Sequence, residues 1–314
     1  MGLRHSNGQI TLNPPIDLAV QPDDAVLILA EDDSTIDFQP SPLILPRELS
    51  IVDRRKDQLT EHNLVIGWTS KVETILREYA DYVLEGSTVD VMLRQPDQSV
   101  VAKVEALNEE LDGMHVRLID GNPLTREGLA EIHPYHYDNI IILSQGQIDD
   151  DDETTESETI VILLLLRGIL QNAPEMSHRT KLITEVLDSD NQSLVARAGV
   201  RDFIISNRFI SMLLAQISED PDIKHVYDDL FDEDGSEIYL KPVSLYFDSF
   251  PVELNYADMI FAAQQREEVC LGVKVKTLEN DLDQNFGVKL IPEKHVMYTL
   301  SAEDSLVVLA EDEL

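Results

Sequence analysis

From His62 onward the chain alternates short apolar runs with stretches of helical period. Residues 63–68 (NLVIGW) are a compact run of strand formers. Residues 71–84 follow, with Val72, Ile75, Leu76, Tyr79 and Val83 on one helical face. Gly86-Ser87 closes that helix, and residues 88–94 (TVDVMLR) read as the next strand. A polar, helix-compatible stretch leads to a strand over 114–122. Residues 125–132 fit a helix and 138–145 a buried-type strand. An acidic loop then precedes an apolar helix over 159–170. A strand (180–188), a helix (191–199), a strand (200–206) and a helix (208–218) complete the series. Six strands alternating with helical segments predict an α/β fold, a Rossmann-like doubly wound parallel sheet over residues 61–218.

The two ends of the chain have a different pattern. Residues 1–15 read as a strand, a turn at Ser6-Asn7-Gly8 and a second strand stopped by Pro14-Pro15. A turn at Gln21-Pro22-Asp23-Asp24 leads into VLILAEDD (26–33). After residue 237 come a strand (237–247), a helix (256–267), a strand (269–275), a polar hairpin and finally LVVLAEDE (306–313). Leu12-Asn13-Pro14 matches Leu290-Ile291-Pro292, Asp24 matches Asp304, and Ala30-Glu31-Asp32 matches Ala310-Glu311-Asp312. One small β-rich module therefore occurs twice. The second copy belongs to a connector and small α+β C-terminal subdomain at 219–314. The first, at 1–37, reads as the β-rich remnant of a preceding domain. The alternative is an N-terminal meander packed on the rest. Residues 38–60, with Pro40, Pro42, Pro46 and RRKDQ, read as a linker.

Charge narrows the possible partners. Asp and Glu total 60 against 24 Lys and Arg, a net charge of −36 over 314 residues. Such a surface repels nucleic acid and anionic lipid, and attracts cations or a basic partner. Solubility or adaptation to salt would give the same composition. Cys270 is the one cysteine, which points to a reducing compartment and, within an apolar strand, to core packing. The longest apolar run, Ile160 to Leu166, is too short to span a bilayer.

Candidate chemistry is sparse. The first strand-to-helix turn reads Gly67-Trp68-Thr69-Ser70-Lys71, where a dinucleotide site needs G-x-G-x-x-G. Arg94 stands where an acidic residue would end the second strand. This argues against NAD, while a smaller anion could rest on the helix start near Thr69 and Ser70. Asp149, Asp150, Asp151, Asp152 and Glu153 form an acidic run at the ligand edge of the expected sheet. They are candidate calcium ligands, although such a charge run is more often a solvated loop. A second cluster, DDLFDEDGSE (228–237), fails the EF-hand pattern at both ends. Asp232, Asp234 and Glu237 remain candidate cation ligands there. The HPYH segment (133–136) lacks a third zinc ligand, and no G-x-S-x-G occurs. No catalytic constellation is legible, so a non-enzymatic role is expected.

The order of these segments resembles the ligand-sensing domains that regulate conductance in potassium channels and transporters. GNPLTREGL (121–129) is similar to that family's Gly-Asp-x-Thr segment, with Asn122 in place of Asp, and adds Gly121 to the degenerate anion site. GWTSKVETILREYADYVLEGS, EVLD…DFIIS…LLAQ and LFDEDGSEIYLKP more closely resemble the Castor and Pollux ion-channel family and its bacterial relatives. The resemblance implies the end of one regulatory domain plus all of a second, on the cytoplasmic side of the cell membrane. It implies a homo-oligomer, a dimer in isolation and a tetramer when joined to its transmembrane pore domain, with eight regulatory domains in a gating ring. Calcium and nucleotides are the ligands it suggests. Trp68, Asn122 and the missing glycines count against a nucleotide in this copy. A separate cytosolic subunit of a potassium uptake system, or an NAD-dependent oxidoreductase, are the alternatives.

Overall fold

The computed structural model describes residues 1–30, 34, 36–55, 59–143, 152–172, 180–186, 203–232, 235–279, 281 and 283–312, without the side chains of 152–156 and 203. The chain forms two compact units. One comprises residues 1–57 and 221–314, the other residues 58–220.

The first unit begins with three short strands, β1 (Gly2–Arg4), β2 (Ile10–Leu12) and β3 (Ala25–Leu27). They form an antiparallel sheet in the order β2-β1-β3. Residues 47–54 then lie against the same unit without regular secondary structure. Val52 N–H donates to Tyr246 O (2.8 Å) and Arg54 N–H to Leu245 O (3.1 Å). Leu49 and Ile51 join its core. The Pro-rich spacing indicated an extended path but not what it would lie on.

The second unit is the expected parallel sheet. Its elements are β4 (His62–Ile66), α1 (Val72–Tyr82), β5 (Ser87–Leu93), α2 (Gln98–Glu110), β6 (Met114–Asp120), α3 (Arg126–Glu131), β7 (Asn139–Ile142), α4 (Asp152–Leu170), β8 (Lys181–Val186), β9 (Phe203–Ile205) and α5 (Ser206–Glu219). The strand order is β6-β5-β4-β7-β8-β9, all parallel, with the switch point between β4 and β7. Both faces are covered. Val72 and Leu76 of α1 and Val100, Val104 and Leu107 of α2 pack on one, and Ile162, Leu163 and Leu166 of α4 on the other. The stretch before β6 proves to be a full helix because Asp97 caps it, accepting from Ser99 N (2.7 Å) and Val100 N (3.0 Å). Helix α4 starts seven residues before the expected start at 159, so Asp152 and Glu153 lie in its first turn and not in a loop. Acidic residues there favour the positive end of the helix dipole. The helix expected at 191–199 lies outside the described residues.

The first unit resumes with α6 (Ile223–Leu230), β10 (Glu237–Pro242), β11 (Val252–Leu254), α7 (Tyr256–Gln264), β12 (Val269–Lys274), β13 (Val288–Leu290), β14 (Tyr298–Leu300) and β15 (Ser305–Ala310). An antiparallel sheet runs β10-β15-β12-β13, and β11 pairs with β14. The strand expected over 237–247 ends at Pro242, which has no N–H to extend the ladder. Helix α7 opens with a capping box between Asn255 and Asp258. Its Met259, Ala262 and Ala263 share one core with Leu306 and Val308 of β15.

The sequence repeat is also a structural one. β2 and β3 flank β1 as β13 and β15 flank β12. Gly2 is paired with Leu12 and Leu27, and Gly272 with Leu290 and Val307. A Cβ at either glycine would run into the carbonyl oxygen of Thr11 or Lys289. Asn13 and Ile291 both take left-handed backbone, φ 43° and 44°. Asn13 N–H donates to Met1 O at 2.9 Å, and Ile291 N–H to Leu271 O at 2.8 Å. Asp24 accepts from Gln21 N (2.9 Å) as Asp304 accepts from Ser301 N (2.6 Å). One difference stands out. Leu306 and Val308 are fully buried, whereas their counterparts Val26 and Ile28 are 59% and 55% exposed.

Candidate functional site

The degenerate anion site falls at the carboxyl edge of the parallel sheet. Gly67 follows β4, Arg94 follows β5 and Gly121 follows β6. Gly67 has φ 107°, a conformation that favours glycine, and its N–H donates to Met92 O. Two features fill the turn from within. Thr69 Oγ1 accepts from Lys71 N–H (3.2 Å), and the Lys71 ammonium is ion-paired with Glu185 of β8. The cation nearest the helix start is thus neutralised by the protein. Trp68 packs into the core beside α1. Arg94 and Asn122 line a cavity of about 50 Å³ with Leu143 and Thr159, room for water and far below the 300 Å³ or so at which small-molecule pockets begin.

Of the acidic candidates, Asp149, Asp150, Asp151 and Asp234 lie outside the described residues, as do the side chains of Asp152 and Glu153. The Glu237 carboxylate accepts from the Tyr239 hydroxyl. The O of Asp232 accepts from Gly235 N–H in the turn after α6. Among the described residues no group of three acidic, His or Cys side chains is placed to hold a metal ion.

The structure assembles two buried charge networks that the sequence reading passed over. In the second unit Asp90, at the middle of β5, is 3% exposed. It accepts from Arg117 Nε (2.7 Å) and Nη2 (3.0 Å) and from the Tyr137 hydroxyl (2.7 Å), while His62 Nε2 lies 3.2 Å away. Burial, reinforced by the hydrogen bond to Asp90, pushes the Tyr137 hydroxyl well above its ordinary range. A cavity of about 510 Å³ opens beside this cluster, bounded by Asp120, Gly121, Gly128 and Glu131.

In the first unit Lys241 Nζ and Arg266 Nε both donate to Glu268 Oε1 (2.9 and 3.0 Å), and the Tyr246 hydroxyl donates to Glu268 Oε2. Lys241 also reaches Asp312 O, and Arg266 reaches Asp53 and Arg54 O in the linker. Burial first, then Glu268, raises the Tyr246 hydroxyl. This network forms the wall of a cavity of about 570 Å³ bounded by Asn13, Arg55, Gln265 and Glu311. Arg47 fastens the linker further by clasping buried Asp258 (Nε 3.0 Å, Nη2 2.7 Å). Burial acts to raise the Asp258 carboxyl, but hydrogen bonds from Arg47 and from the Asn255 N–H outweigh it and hold it below the usual range. A charge buried within a strand, as at Asp90 and Lys241, is the signal that announces such networks, since it must find a partner.

Both networks tie together segments distant in sequence. Comparison with known proteins says more. No family model matches the chain. Ion channel DMI1 of Medicago truncatula is 27% identical over 98% of this chain. Ion channel POLLUX of Lotus japonicus is 27% identical over 96%, and ion channel CASTOR of the same plant 25% over 98%. The Castor, Pollux and DMI1 ion channels are homologues of this chain over nearly its whole length. The chain spans 37%, 35% and 38% of the length of these three relatives. Among solved structures, the human SLO3 gating ring superposes on 80% of this chain with a TM-score of 0.53 at 11% identity, covering 44% of that chain. That likeness shows a shared fold.

Proposed function

We propose that the chain is the cytosolic, gating-ring region of a Castor/Pollux-like potassium or cation channel, passing ligand binding on to a pore. The observation that carries this reading is homology to ion channels along 98% of the chain, joined to a structural repeat with a fixed register. On this reading β1–β3 are the last strands of one regulatory module and β12, β13 and β15 those of the next. The bare Val26 and Ile28 support it, because their counterparts are buried in a core that includes residues of α7. Helix α5 supports a homo-oligomer, since it leaves Phe209, Ile210, Met212 and Leu214 exposed. The role is non-enzymatic, in keeping with homologues that are channels. The acidic run 149–153 makes calcium the first ligand to try, ahead of a nucleotide.

The test is electrical. The full reading frame that contains this chain is reconstituted in planar bilayers, and open probability is measured as calcium on the cytoplasmic side rises from nanomolar to millimolar. The expected result is a current whose gating changes when residues 1–314 are deleted. A reading frame without pore helices would instead favour a separate regulatory subunit. Calorimetric titration of the isolated chain with calcium, repeated with Asp149–Glu153 neutralised, examines the ligand by itself; no heat from either protein would sink calcium.

A further inference from the structure

The parallel sheet of the second unit is open at the edge where it meets α3. Strand β6 ends the sheet, with a neighbour on one side only. Helix α3 has six residues, about 9 Å of helix, against nineteen in α4 on the same face. The cavity of about 510 Å³ lies there, beside Asp90 and Arg117. It falls in the size range of small-molecule pockets, and residues of this unit alone line it.

Its lining combines three chemistries. Met92, Ile119 and Ile132 supply apolar surface, and all three belong to the core on this face. Arg117 supplies a guanidinium. Its Nε and Nη2 donate to Asp90, and Nη2 also lies 3.0 Å from His62 Nε2. Among the described residues nothing accepts from Nη1, and half of the side chain is exposed. Two carboxylates complete the lining. Asp120 accepts from Gln95 N–H at 2.8 Å, whereas Glu131 has no partner among the described residues.

These charges narrow the ligand. A simple anion that reaches Nη1 meets Glu131 and Asp120 in the same cavity, in a chain of net −36. A simple cation drawn to the carboxylates leaves the guanidinium fork unused. A molecule with both charges on a short aliphatic frame meets each group with its opposite. We propose that this cavity binds an amino acid in its zwitterionic form. The ligand carboxylate accepts from Arg117 Nη1, its ammonium donates to Glu131, and its aliphatic part lies on Met92, Ile119 and Ile132. A guanidinium already held by Asp90 is fixed in direction, which lowers the cost of ordering it around a second carboxylate. The site uses neither the acidic run 149–153 nor the turn at 67–71, and it stands whether or not a pore is attached to the chain.

The test is calorimetric titration of the full chain with two probes of different charge spacing, L-leucine and ε-aminocaproate. Two controls each lack one charge: isocaproate is leucine without its amine, and isoamylamine is leucine without its carboxylate. At least one amino acid is expected to bind saturably, roughly tenfold or more tighter than either control. Glu131→Gln, at an exposed position, should abolish the advantage over isocaproate. Arg117→Lys, which keeps a cation for Asp90 but loses the fork, should abolish the advantage over isoamylamine. Saturable binding of neither amino acid overturns the proposal. So does isoamylamine binding as tightly, which marks a cation site, or isocaproate binding as tightly, which marks an anion site. Binding indifferent to both substitutions also overturns it. Because the readout is binding to the isolated chain, failure here is separable from failure of the bilayer test.

Discussion

Gly272 and Gly2 hold their place for a steric reason that concerns one atom each. At Gly272 an added Cβ would meet the carbonyl of Lys289, a backbone atom locked in the β12-β13 ladder, so the neighbour cannot yield. Gly272→Ala is expected to destabilise the first unit by about 2 kcal/mol or more, in the range of overpacked cores, read by near-ultraviolet circular dichroism during urea unfolding. Arg47 poses an electrostatic case. Its loss would leave the Asp258 carboxylate buried with only backbone partners, and Arg47→Ala should cost about 2 kcal/mol at neutral pH. The Asp258 carboxyl is depressed in the folded state, so the folded protein releases this proton more readily than the unfolded chain. Its contribution is present above the unfolded pKa and is lost as pH falls through the folded value. The gap between wild type and Arg47→Ala should therefore be full at pH 7 and close below about pH 4, which denaturation at a series of pH values checks.

At the scale of elements, β5 shows why a buried charge survives in a sheet. Asp90 is held by a guanidinium from β6 and a phenol from beyond α3, so its lone pairs are filled. Removing only the cation, Arg117→Met, strands the carboxylate and should cost about 2 kcal/mol, less than a fully buried pair because half of Arg117 is exposed. The double change with Asp90→Leu should recover most of that loss. Trp68, the one tryptophan, packs into the core of this unit and reports its unfolding without interference from the other. The six strands were legible because each is an apolar run with punctuation on both sides. The networks were not, since their members lie far apart in sequence. Arg117 is 27 residues from Asp90, and Lys241 meets Glu268 only because β10 and β12 flank the same strand, β15. Residues 47–54 carry no period to read, and the polar first turns of α4 resemble a loop until the helix dipole is considered. The glycine of the candidate anion turn was legible, while the Lys71–Glu185 ion pair beside it depends on β8, over a hundred residues on.

For the whole molecule the governing quantity is charge. A chain of 314 residues with net −36 repels itself in every compact state, and the repulsion would grow in the proposed ring of several copies. Raising sodium chloride from about 0.05 to 0.5 M shortens the screening length from roughly 14 to 4 Å. The melting temperature is therefore expected to rise with salt, opposite to a protein held by surface ion pairs. The same argument sets the standard for calcium. Any divalent ion screens, so magnesium at equal ionic strength gives the baseline, and only an excess of calcium over magnesium reports a site. The proposed role in a tetrameric gating ring sets how large the preference must be. Moving a ring from 1:99 to 99:1 requires a ligand to prefer one state by about 10⁴-fold in total. Spread over four sites, this is about tenfold each, near 1.4 kcal/mol per site. Calcium dissociation constants that differ by tenfold between two conformational states, with magnesium showing none, would meet that standard. Equal calcium and magnesium shifts at matched ionic strength would leave only screening.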